Sequence, residues 1–102
     1  MENNKINIPD KNAVWNKIQK YALSFNAYEY WDGFDKTAEI ANKQLKEYKE
    51  KGTLPENPII IKTCLFFEER RNHHAGTLPS DEAMKYIKAL LEKIRSIEEV
   101  ED

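Results

Sequence analysis

The sequence predicts an all-α fold, a single domain of four helices packed as a bundle or compact helical array. Three observations predict it. Apolar residues recur at alternating spacings of four and three in three separate stretches. The joints between stretches carry Gly, Pro, Asn and Ser where helices stop and start. The second stretch also carries opposite charges at i,i+4 on its outer face, the arrangement of a solvated helix. The predicted helices cover residues 11–28, 33–51, 58–74 and 80–98, with a loose arm at 1–9 and a frayed acidic tail at 98–102.

Each element has its own justification. In the first, Val14, Ile18, Tyr21, Phe25 and Tyr28 form one stripe, with Asp10 or Asn12 as the capping residue. Gly33 then marks a turn, and Asp32 is the expected cap of the second helix. The second stripe is Phe34, Ala38, Ala41, Leu45 and Tyr48.

Residues 58–75 are ambiguous locally. Ile59, Ile60, Ile61, Phe66 and Phe67 favour strand. Length and the start favour helix, because no turn residue interrupts the run, Asn57 can cap and Pro58 suits the first helical position. A helix apolar over most of its circumference belongs in the middle of a bundle. The polar block 68–74 is then its emerging end, with Glu68 and Arg71 as a surface ion pair. In the last helix Ser80 caps, Asp81 and Glu82 suit the positive helix start, and Ala83, Ile87, Leu90, Ile94 and Ile97 form the stripe.

Gly-Thr-Leu-Pro occurs twice, at 52–55 and 76–79. Each copy follows one helical stripe and precedes another. Gly ends a helix in the left-handed conformation, and Pro prevents its continuation. The leucine can fold back over the helix end. The repeat reads as punctuation, since nothing else matches between the two regions.

Composition limits the function. Sixteen basic residues are interspersed with eighteen acidic ones, and the net charge is −2. That balance argues against nucleic acid, which calls for a basic stripe. Cys64 is the single cysteine, so neither an internal disulfide nor a cysteine-based zinc cluster can form. The opening residues lack the apolar core of a signal peptide, and no apolar run is long enough to span a bilayer. A cytoplasmic protein without membrane contact is the expectation. Three glycines build no phosphate loop, and Cys64 lies among apolar residues, where a thiol is inert.

Two stretches could carry function. On a helix, Glu69 and His73 share a face at i,i+4, as do Arg70 and His74. Arginine recognises carboxylates and phosphates through its planar fork. A Glu69–His73 pair alone falls short of the three protein ligands a catalytic zinc wants. The other stretch is the joint 25–34, with five of the eleven aromatics. Tyr30 and Trp31 fit neither stripe, and such residues are common interface anchors.

Cys64 to Arg71, then His74-Ala75-Gly76 and Asp81 to Ile87, resemble a family of small uncharacterised bacterial proteins of about 100 residues. Ser24 to Trp31 extends the likeness. The resemblance implies a bacterial, stand-alone domain and carries no activity with it.

The expected function is a small non-catalytic cytosolic module that binds a protein partner or a small ligand, without cofactor, as monomer or homodimer. Its expected contact residues are Arg70, Arg71, His73, His74, Tyr30 and Trp31. In an up-down bundle the ends of the first and third helices meet, which would join these residues. The alternative is a metal- or small-molecule-binding enzyme or sensor using Glu69, His73 and His74 with Glu29 or Asp32.

Overall fold

The computed structural model describes residues 11–75 and 79–98, the side chains of His74 and Ala75 excepted. The expected arm and the turn at 76–78 lie outside them, as does the tail beyond Glu98. The helices are α1 Lys11–Ser24, α2 Ala27–Tyr30, α3 Phe34–Lys51, α4 Pro58–Ala75 and α5 Asp81–Glu98. The fold is all-α, and α3, α4 and α5 match the expected spans to within one residue.

The expected first helix is divided. It stops at Ser24, and one turn of helix follows after a break. The cause is Asn26, whose side-chain oxygen accepts the backbone N–H groups of Tyr28 at 3.1 Å and Glu29 at 3.3 Å. A short amide side chain that caps a new helix competes with continuation of the old one. At the start of α1, Asn12 lies inside the helix and does not cap it, and Asp10 is outside the described residues.

The exit from α2 also differs from expectation. Asp32 does not cap α3. It is left-handed, with φ of 62°. Its N–H reaches the Glu29 carbonyl at 3.3 Å, and the Gly33 N–H reaches the Tyr28 carbonyl at 2.8 Å. This double closure is the Schellman arrangement, which satisfies the last carbonyls of a helix. Gly33 then precedes α3 at φ 138° and ψ 166°, a backbone region open to glycine alone. Thr37 secures the corner, donating to the Gly33 carbonyl at 2.9 Å with the Ala27 carbonyl at 3.2 Å.

The other boundaries follow the sequence signals. Gly52 ends α3 in the left-handed region, with φ of 72°, and donates to the Tyr48 carbonyl. Leu54 folds back against the core and Pro55 is buried. Asn57 accepts the Ile59 N–H at 2.8 Å, and Pro58 opens α4 at the position where its missing N–H costs nothing. Ser80 accepts the Ala83 N–H at 3.2 Å, and Pro79 before it is buried.

The core explains why strand-favouring residues are helical. Ile18 of α1, Ile61, Cys64 and Leu65 of α4, and Tyr86, Ile87, Leu90 and Ile94 of α5 form one buried cluster. Packing of this kind overrides intrinsic propensity. Helix α4 lies at the centre and packs against all four other helices. From residue 63 to residue 69 every side chain is buried.

The helix directions correct the expected up-down order. Lys11 pairs with Asp81, start to start, whereas Tyr21 feels the charges of Arg95 and Glu98. Helices α1 and α5 therefore run the same way. Lys62 pairs with Glu98, so both run against α4. The end of α1 consequently lies beside the first half of α4, away from its end. The capped turn at α2 redirects the chain and makes this order possible.

Gly33→Ala should lower stability by about 1–3 kcal/mol, because the Cβ meets a forbidden backbone region rather than a steric neighbour. Asp32→Gly should be neutral or stabilising, since the left-handed residue loses its penalty. Urea unfolding of the two variants checks both signs.

Candidate functional site

The second half of α4 carries alternating rings and charges. Phe66 and Phe67 are buried, and so are Glu68 and Glu69 that follow them. The expectation of a solvated helix end is overturned here. Glu68 is 4% exposed and Glu69 is 2% exposed. A carboxylate at such depth needs compensation. It comes from the next two residues of the same helix.

Arg71 donates from its terminal nitrogen to Glu68 at 3.2 Å, and Arg70 donates through Nε to Glu69 at 3.0 Å. The His73 imidazole lies 3.4 Å from the other Glu69 oxygen. Each guanidinium also lies over a ring one turn back. Arg70 is 5.7 Å from the Phe66 centroid, and Arg71 is 4.9 Å from that of Phe67. At these separations the ring face attracts the cation and limits its freedom. Arg71 reaches Asn42 of α3 at 3.4 Å as well.

Burial still dominates at Glu68. It raises the carboxyl pKa above the ordinary value, against the lowering by Arg71 and Lys49. Burial likewise pushes the Cys64 thiol up to about 12. The neighbouring Tyr86 phenol is pushed well above its usual range by burial, with Cys64 adding to it. Among the described residues the buried Tyr86 hydroxyl has no nitrogen or oxygen partner.

The aromatic joint lies along the first two turns of this surface. Trp31 donates its indole N–H to the Thr63 hydroxyl at 2.8 Å, and that hydroxyl donates to the Ile59 carbonyl at 2.8 Å. Tyr28 meets Phe66 edge-on at 4.9 Å, and Phe34 meets Phe67 at 5.8 Å. Trp31 is thus an anchor between α2 and α4, part of the packing around Phe66. Tyr30 is different. It meets Trp31 edge-on at 4.9 Å and Phe25 at a tilt at 5.7 Å, yet remains 55% exposed. Phe34 is 56% exposed.

The expected contact residues are therefore only partly brought together. Phe66 connects Arg70 to Tyr28 and Trp31, which gives one continuous face from the α2 joint to the middle of α4. Arg71 belongs to the other flank, towards α3. His73 stands further along the helix against Glu69. The His74 side chain lies outside the described residues. Sequence reasoning missed Glu68 and Glu69 as the buried supports of the two arginines. The signal was present in Phe66-Phe67 followed directly by Glu68-Glu69 and Arg70-Arg71, which supplies rings, acids and bases within one turn of each other.

Metal chemistry has less to draw on. Both Glu69 oxygens already face nitrogen partners, Arg70 Nε and His73 Nδ1. Among the described residues no group of three His, Cys, Asp or Glu side chains could hold a metal ion. Among them, too, no helix is long and apolar enough to cross a membrane. No family model, curated protein or solved structure matches this chain.

Two outcomes follow from the displaced pKa values. The native state holds the Glu68 proton to higher pH than the unfolded chain does, so it binds more protons across that window. Stability from this group is present below the ordinary glutamate value and is lost as pH rises above it. In Glu68→Gln that loss disappears, so wild type minus variant stability should fall with rising pH, as measured by urea unfolding at each pH. Native Cys64 should resist a thiol-directed disulfide reagent at neutral pH and react once urea unfolds the chain.

Proposed function

We propose that this chain is a small binding module without chemistry of its own, and that it meets its protein partner across the face joining α2 to the middle of α4. Arg70 is the centre of the contact, Tyr30 and Phe34 give it apolar area, and Arg71 and His73 flank it. The observation that carries this reading is the way Arg70 is held. Buried Glu69 takes its Nε, the Phe66 ring lies beneath it, and among the described residues neither terminal nitrogen has a hydrogen-bond partner, which leaves them for a second carboxylate or a phosphate. A guanidinium fixed before binding loses little freedom on binding, which raises affinity. Exposed Tyr30 and Phe34 supply the apolar part of a mixed contact of the kind aromatic and arginine anchors make.

The same geometry decides which variants give a clean test. Arg70→Ala strands the buried Glu69 carboxylate and should cost about 1–3 kcal/mol of stability. Trp31→Ala removes the bond to Thr63 and weakens the core. Arg70→Lys keeps the charge and loses the fork, and Tyr30→Ser removes a half-exposed ring that lies outside the main core cluster. Affinity capture from cell extract with quantitative mass spectrometry should show Arg70→Lys combined with Tyr30→Ser losing the partners that wild type holds, at an unchanged melting temperature. Retention of the same partners by that double variant would sink the assignment.

A further inference from the structure

A second surface has the opposite design. Helices α1 and α5 each pack on α4, and they run the same way with an open cleft of about 670 Å³ between them. Its floor is apolar, made by half-buried Val14, Tyr21 and Leu91. Its α1 wall carries Lys17 and Lys20, and its α5 wall carries Lys88 and Arg95. Glu92 is the one carboxylate among the lining residues. On a chain of net charge −2 this is a local reversal of sign.

Three of these four cations are left without a partner among the described residues. Lys17, Lys20 and Lys88 are exposed and make no ion pair or hydrogen bond with any described residue. Lys11, Lys62 and Lys93, by contrast, pair with Asp81, Glu98 and Glu56. Like charges on facing walls repel each other across the cleft, which costs stability unless something anionic lies between them. Leu23, one turn beyond Lys20, is 83% exposed and prolongs the apolar surface past the rim.

We infer that the α1–α5 cleft is a docking groove for an acidic amphipathic helix of a partner protein, its apolar stripe on the Val14–Tyr21–Leu91 floor and its carboxylates between the two lysine walls. The shape favours a helix. The α1 lining residues fall at 14, 17, 20, 21 and 24, and those of α5 at 88, 91, 92 and 95, each following one helix face. From Val14 to Ser24 the wall is about 15 Å long, the length of roughly three turns. A concave floor between charged rims suits an apolar ridge. An anionic membrane surface is flat and would meet the rims without reaching the floor. The acidic residues at 98–102 of a second copy offer one apolar side chain, Val100, too few for a stripe.

The test is an amide NMR titration of the full chain with a synthetic peptide that forms a leucine-striped helix flanked by glutamates, added to millimolar concentration. Shifts should concentrate in residues 14–24 and 88–95, and affinity should fall with added salt. Charge reversal in Lys17→Glu with Lys88→Glu should weaken binding at least about tenfold, and since both side chains are exposed and the reversal relieves like-charge repulsion, the melting temperature should not fall. Four results would overturn the inference. They are no shift at these positions, equal binding of the lysine-flanked counterpart peptide, binding unaffected by the charge reversal, and a response to anionic phospholipid vesicles but not to the peptide. A concentration-dependent mass in sedimentation that vanishes when residues 99–102 are removed would also replace it, with self-association through the tail.

Discussion

The structure depends on the burial of α4. From Thr63 to Glu69 this helix offers no side chain to water. A helix with apolar residues all round can be stable only when other elements surround it. The remaining helices accordingly take their places around α4: α1, α3 and α5 supply the main core cluster, and α2 joins Phe66 and Ala22 in a second one. The cost of the arrangement falls on Glu68 and Glu69, which the helix carries into the interior. Their offsets come from Arg70 and Arg71, one residue or three further on, so that charge and countercharge belong to the same element. Removing one member leaves the other buried and unpaired, the situation that makes such pairs sensitive to single substitutions.

Much of this order was legible in the residues. The stripes of α3 and α5, the caps at Asn57 and Ser80, and the left-handed Gly52 all rest on local chemistry, and local chemistry is what a sequence displays. What was not legible depends on choices between competing local solutions or on tertiary depth. Asn26 can lie in a helix or cap one, and only the packing of Ala27 into the core decides for the cap. Asp32 can cap a helix or turn left-handed, and the closure back onto Tyr28 decides that. The acids of α4 look solvated because acids usually are. Their depth follows from Phe66 and Phe67 pulling the same turn inward. Trp31 reads as an exposed anchor until Thr63 is seen to receive its indole N–H.

Two faces of the molecule therefore differ in kind. On the α2–α4 face the arginines are already neutralised by their own helix, and they are rigid. On the α1–α5 face the lysines are unneutralised and flexible. Lysine is a compact point charge on a mobile stem, whereas arginine is a planar fork. The first face is suited to a fixed geometry and the second to attracting charge over distance, with strong dependence on ionic strength.

The shared direction of α1 and α5 has a consequence for how the domain could join other things. The described chain enters at the pole where Lys11 meets Asp81 and leaves at the pole where Glu98 meets Lys62. The eighteen residues of α5 separate these poles by about 27 Å. An up-down bundle of four helices would have returned the chain to its starting pole. Here the two ends of the described chain lie at opposite poles, about one long helix apart.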